Sequence, residues 1–128
     1  MYNKIWEIEL LLTDAGYSFF SAGTNGRVFV IRDPQDQHTV FFRENVEFNI
    51  FELVSCGIPY NSLYESTVKH LLNLKNKASD FGSYAYIDRD NIVLKNIVPD
   101  SVSAISFSRL VTHFFNEVDI IAEEFLLF

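Results

Sequence analysis

An α+β domain, one antiparallel sheet with helices packed on it, is the fold class that the sequence predicts, and three features predict it. The apolar period changes from helical to strand-like and back, twice over. Turn residues separate the strand-like stretches by too few positions for parallel crossovers. The last helical stretch carries an apolar stripe wide enough to cover a sheet. The predicted order is α-β-β-β(-β)-α-β-β-α, in one domain spanning residues 1–128.

The first helix is expected over about residues 3–15, where Ile5, Ile8, Leu11, Leu12 and Ala15 recur at helical spacing and Gly16 stands at the place of a left-handed cap. Residues 17–22, 27–32, 38–43 and 46–54 are then rich in aromatic and β-branched side chains and make four strand candidates. Gly23-Thr24-Asn25-Gly26 supplies positive-φ positions and Asp33-Pro34-Gln35-Asp36 a proline turn, so neighbouring strands should be antiparallel. Glu44-Asn45 is a weaker turn signal, and a single long strand with a bulge is the alternative there. Gly57 and Pro59 close this sheet segment.

Ser62 followed by Glu65 matches a capping box at the entrance to a second helix. Its expected buried stripe is Val68, Leu71, Leu72, Leu74 and Ala78, and it should end before Gly82. Residues 83–87 and 91–98 return to a period of two, with Asp88-Arg89-Asp90-Asn91 as their turn and Pro99-Asp100 as the stop. Ser103 or Ser106 caps the last helix. There Phe107, Val111, Phe114, Val118, Ile121 and Phe125 alternate steps of four and three, widened by Leu110, Phe115 and Ala122. Packing across the sheet is the plain reading of that stripe. A share in an interface is the second, because the chain runs on into Phe125-Leu126-Leu127-Phe128.

With 48% hydrophobic residues and thirteen Phe, the chain can bury a core without disulfide or metal. Ten basic against seventeen acidic residues give a net charge of -7, and only Lys69, Lys75 and Lys77 lie close together, on a helix face that water solvates. Nucleic acid and anionic membrane are therefore disfavoured partners. No stretch reaches the roughly 18 apolar residues of a membrane span. No leader pattern of basic, apolar and small residues opens the chain, and the single Cys56 forbids an internal disulfide, so a cytoplasmic location is expected. Cys56 has no activating cation beside it in sequence and is read as a small buried hydrophobe.

No catalytic or cofactor-binding constellation emerges. His113 and Glu117 stand four apart on the last helix and can face one another, but a metal needs three or four converging ligands, and His38 and His70 belong to other elements. Asp88, Asp90 and Asn91 resemble the start of a calcium loop that lacks its glycine and closing glutamate. No serine sits in a Gly-x-Ser-x-Gly elbow, and Gly23-Thr24-Asn25-Gly26 lacks the lysine of a phosphate loop. The expectation is a protein without catalysis, cofactor or metal that works by contact. Phe19, Phe20, Phe29, Ile31, Phe41, Phe42, Phe48 and Phe51 put large side chains on both strand parities, so one sheet face should pack on helices while the other takes a partner or a second copy. Candidate interaction residues are Phe41, Phe48, Phe51, Phe115, Phe125 and Phe128.

The chain resembles the YbjN-like family of small bacterial domains, similar in fold to the type III secretion chaperones. The residues that carry the likeness are Ala15-Gly16-Tyr17, Pro59, Leu71-Leu72-Asn73-Leu74 through Ala78-Ser79-Asp80-Phe81-Gly82, Ala85-Tyr86-Ile87-Asp88, and Phe114-Phe115-Asn116-Glu117-Val118-Asp119. It covers residues 3–126, and the abundance of Phe at Phe41, Phe42, Phe48 and Phe51 departs from it. The resemblance implies a non-enzymatic adaptor, chaperone-like or regulatory role in an acidic homodimer. An immunity or antitoxin-like inhibitor of a basic toxin is the alternative, on charge. A small-ligand site or enzyme between sheet and last helix, near Tyr84, Tyr86 and His113, is the third reading.

Overall fold

The computed structural model describes residues 5–22, 28–32, 38–45, 47–48, 50–78, 82–98 and 103–126, with the side chains of residues 5–8 and 104 left aside. The predicted α+β order is observed. It runs α1 (Ile5–Asp14), β1 (Ser18–Ala22), β2 (Val28–Arg32), β3 (Thr39–Asn45), β4 (Ile50–Ser55), β5 (Ile58–Pro59), a 3-10 turn (Ser62–Tyr64), α2 (Glu65–Ala78), β6 (Tyr84–Asp88), β7 (Asn91–Val98) and α3 (Ala104–Glu124). The turns proposed at 23–26 and 33–36, the stop at Pro99-Asp100, the stretch Ser79-Asp80-Phe81 and the terminal Leu127-Phe128 lie outside the described residues.

Local chemistry accounts for the junctions. After α1, the Tyr17 N–H donates to the Leu12 carbonyl at 3.1 Å and the Gly16 N–H to that of Thr13 at 3.0 Å, with Gly16 at φ +82°. This is the Schellman pairing, which needs the left-handed residue glycine supplies. Arg89 and Asp90 adopt φ of 50° and 63°, the two positive values that a two-residue hairpin loop requires to match strand twist. Ser103 caps α3, its hydroxyl accepting from the Ser106 N–H at 3.1 Å. The expected capping box at Ser62 is not what opens the second helix: Asn61 is the cap, accepting from the Leu63 N–H, and a 3-10 turn intervenes before α2.

Every strand pairing is antiparallel. The sheet runs β1-β2-β3-β4-β7, and β7 is flanked twice. Lys95 pairs with both Val54 and Tyr84, and Ile92 with both Ile58 and Ile87, so β4 and β5 share one edge of β7 while β6 takes the other. The single bulged strand considered across Glu44-Asn45 does not form; Asn45 pairs with Ile50 in a hairpin. The break falls later, at Cys56-Gly57, between β4 and the unexpected short β5. There the Ser55 hydroxyl accepts the Leu94 N–H at 2.8 Å. A Cβ at Gly57 would lie 2.8 Å from the Asn91 Cβ, which is why this position is glycine. Cys56, expected to be buried, is exposed at this break.

One core lies between the sheet and the helices, and it joins residues of all three helices to the inward strand positions. A file of rings, Phe19, Phe29, Phe42 and Phe51, crosses β1 to β4 with centroids 5.1–6.4 Å apart, and Phe107 of α3 meets Phe42 edge-on at 5.6 Å. In the predicted stripe of α3, Phe107, Val111, Phe114, Phe115, Val118, Ile121 and Phe125 are buried, and Leu110 and Ala122 are half-buried at its margins. Tyr17 stacks on Phe115 and bonds the Thr112 hydroxyl at 2.7 Å, tying the start of β1 to α3. In α2 only Val68 and Leu72 are fully buried; Leu74 is 51% exposed and Ala78 is exposed as well. At 100° per residue Leu74 stands about 200° from Leu72, on the far side of the helix. Among the described residues no helix is long and apolar enough to cross a membrane.

Candidate protein-binding face

Antiparallel register sorts the sheet into two faces. Positions of the Phe29–Phe42–Phe51 parity meet the helices, and those of the other parity point away from them. Phe20, Val30, Phe41, Val54, Lys95 and Tyr84 form one outward row across six strands. Ala22, Val28, Arg43, Glu52 and Ile97 form the row beside it.

Glu52 is the feature of this face that strand alternation alone does not explain. It points away from the helices and is still only 2% exposed. Its carboxylate accepts from Arg43 Nε at 3.2 Å and from Asn45 Nδ2 at 3.4 Å, and meets Lys95 Nζ at 3.1 Å. Lys95 also lies 5.9 Å above the Tyr86 ring, and Tyr86 stacks with Tyr84 at 6.1 Å. Two cations thus balance the charge of one buried carboxylate and an amide adds a hydrogen bond, the partners that burial of a charge demands.

Glu52 contributes to the lining of a cleft of about 420 Å³, together with Asn45, Phe48 and Ile50 from the β3–β4 hairpin, Tyr84 from β6, and Lys95 and Ile97 from β7. The cleft wall is mostly apolar and its large side chains lie open: Phe48 is 66% and Ile97 57% exposed. Such a surface can hold apolar side chains of another chain, with the paired Glu52 at its base.

Of the six Phe expected at an interface, Phe48 lies exposed in this cleft and Phe41 lies half-buried in the outward row. Phe51, Phe115 and Phe125 are corrected: all three are at most 2% exposed and packed into the core, because β4 turns Phe51 inward and α3 turns its entire wide stripe onto the sheet. Phe128 lies outside the described residues. Phe20, Tyr84 and Ile97 complete the face and were not singled out as interface residues. The signal that could have found Glu52 is the charge inside Ile50-Phe51-Glu52-Leu53-Val54, an apolar strand run that tolerates an acid only if partnered.

A cavity of about 200 Å³ does lie between the sheet and the last helix, lined among others by Ser83, Ala85, Leu94, Glu117 and Ile121, but Tyr84, Tyr86 and His113 are not among its lining residues, since the tyrosines sit on the outward face of the sheet. His113 instead borders a shallow depression with Ser108, Arg109, Thr112 and Asn116, all from one helix. His113 Nε2 bonds Glu117 Oε1 at 2.5 Å. Asp119, the next acid on α3, reaches His38 Nε2 at 3.1 Å. Among the described residues no group of three His, Cys, Asp or Glu side chains is placed to hold a metal. The Cys56 thiol is pushed up by partial burial, against the pull of Arg32, which is the direction opposite to nucleophilic activation. No protein-family model matches the chain, and no curated protein matches it.

Proposed function

We propose that this chain is a non-enzymatic protein-binding adaptor, chaperone-like or regulatory, of the YbjN-like kind, acting as a homodimer in the cytoplasm and holding its partner on the helix-free face of the sheet. The observation that carries the reading is the cleft at Phe48, Tyr84 and Ile97, where large apolar side chains stand open around a neutralised, buried Glu52. The order of elements supports the family likeness. The acidic balance keeps such a surface soluble and away from nucleic acid, while aromatic anchors supply affinity.

The test is capture from native cell extract with the tagged chain, read by mass spectrometry and gel stoichiometry. A single near-stoichiometric protein is expected with wild type and with Leu74→Asp, which alters an exposed position on α2. The same protein should be lost with Phe48→Asp or Ile97→Asp. Recovery of the bare chain, or capture indifferent to both cleft variants, would remove the reading.

A further inference from the structure

Charge is spread unevenly over this chain. Among the described strands, the helix-free face carries three cations, Arg32 on β2, Arg43 on β3 and Lys95 on β7, set outward by the same register as Val30, Glu52 and Tyr84. The acids at outward strand positions are Glu52, which is 2% exposed, and Asp88 at the turn end of β6. Asp88 lies opposite Asn91, four residues along β7 from Lys95, about 13 Å at the rise of a strand. Glu47 belongs to the turn between β3 and β4 and does not line the cleft. Glu65, Glu117, Asp119, Glu123 and Glu124 stand on α2 and α3, on the far side of the core, and salt screens charges separated by more than about 8 Å. A chain of net charge -7 thus turns cations and aromatic side chains, Phe41, Phe48, Tyr84 and Tyr86, to one surface.

We infer that the segment held on this face is acidic and apolar: an extended stretch of another protein in which a carboxylate and a large apolar side chain stand two residues apart, on the same side of the chain. This rests on the adaptor reading above and names the chemistry of its partner. Glu52 balances one of its two cations and is closed to water, whereas the Arg43 and Lys95 side chains are 41% and 30% exposed, so the charge that an arriving chain meets is positive. Arg43 meets Glu52 through Nε, and a guanidinium has four further N–H donors; the Lys95 ammonium has three donors in all. Each can therefore bond a second carboxylate without releasing Glu52. Phe48, Tyr84 and Ile97 supply the apolar contacts in the same cleft as Lys95. A basic segment would meet both cations at close range, and nucleic acid, long and uniformly charged, would meet the acidic remainder of the chain as well.

Fluorescence anisotropy with the full chain tests this, using a dye-labelled peptide of three Asp-Ser-Phe-Ser repeats and two counterparts with asparagine or lysine in place of aspartate. The aspartate peptide should bind at least tenfold tighter than the asparagine one, the lysine peptide weakest of all, and the preference should shrink as salt is raised. Glu52→Gln should tighten the aspartate peptide further, because both cations are then unopposed. Arg43→Gln, Lys95→Gln and Glu52→Gln combined should abolish the preference, while Lys69→Gln on α2, which changes the net charge by the same one unit, should leave it intact. Should the triple variant fail to fold, Lys95→Gln in the Glu52→Gln background replaces it and should bind the aspartate peptide more weakly than Glu52→Gln alone. Equal binding of the three peptides, a preference for lysine, or a preference reduced as much by Lys69→Gln would overturn the inference. Tighter binding of a thymidine oligonucleotide would overturn it too and assign the face to nucleic acid. Extract capture that depends on Phe48 and Ile97 but survives the triple variant would remove the acidic segment and leave the adaptor standing. An acid preference lost with the triple variant, in a chain that captures no protein, would keep the acid-selective face and remove the stable adaptor.

Discussion

Asn76 and Ala85 form a reciprocal pair in which a helix side chain satisfies both backbone groups of a strand residue, at 2.8 and 2.7 Å. The pair binds α2 to the outer edge of β6 and leaves neither the Ala85 N–H nor its carbonyl to water or to another chain. Asn76→Ala should cost about 1–3 kcal/mol, the usual loss when a partly buried backbone donor and acceptor lose their partner. Urea denaturation measures that loss, and hydrogen exchange should show faster exchange at Ala85. An unchanged midpoint would mean that water replaces the amide without penalty.

The charge network at Glu52 makes an asymmetric prediction. Removing both cations with Arg43→Ala and Lys95→Ala leaves a nearly inaccessible carboxylate without its counter-charges, at a cost of about 3–5 kcal/mol. Adding Glu52→Gln to that double variant should restore much of the stability, since the charge itself is then gone. Thermal melts of the three proteins check this, and a double variant as stable as wild type would show that the pairs contribute little.

Tyr60 gives the pH dependence. Burial holds its phenol above the ordinary tyrosine range, with Glu65 and Asp90 adding to the shift. Stability tied to a folded-state pKa raised in this way is fully present below the unfolded value of about 10 and is lost as pH rises through the folded one. The Tyr60 hydroxyl is also buried with no hydrogen-bond partner among the described residues. Tyr60→Phe should therefore leave the melting temperature at pH 7 unchanged or higher and flatten its fall between pH 9 and 11. A variant that falls with pH as steeply as wild type would place the alkaline transition elsewhere.

The stripe of α3 supplies the largest expected effect. Phe114 and Val118 are at most 1% exposed, so an aspartate at either site buries an unpaired charge and should cost more than about 4 kcal/mol, enough to unfold the chain. His113→Ala gives up one helix-surface pair with Glu117, worth about 0.5 kcal/mol. Circular dichroism separates the two classes, and comparable melting of all three variants would contradict the observed core.

The candidate face was legible in outline, with Phe41 and Phe48 on it, while Phe51, Phe115 and Phe125 turn into the core. Aromatic residues on both strand parities announced a second apolar face. Choosing among them required knowing that Phe51 turns inward while Phe20 turns outward, and a one-residue change of register exchanges those roles. Phe115 and Phe125 looked available because α3 seemed wider than its task, yet the core beneath it takes both, leaving only the marginal Leu110 and Ala122 half-buried.

By itself, the sequence determined what depends on neighbours a few residues apart: the α+β class, the order of the elements, Gly16 as a cap, the Arg89-Asp90 turn and the buried side of α3. These follow from periodicity, turn chemistry and backbone sterics, which act locally. Only the tertiary structure decided that Arg43, Asn45 and Lys95 converge on Glu52, that Asn76 closes the edge at Ala85, that β5 joins β7 beyond an exposed Cys56, and that β1 comes first in the strand order of the described residues. Each of these needs strand order and register, which are set by packing the whole core at once and leave no signature within a short window of sequence.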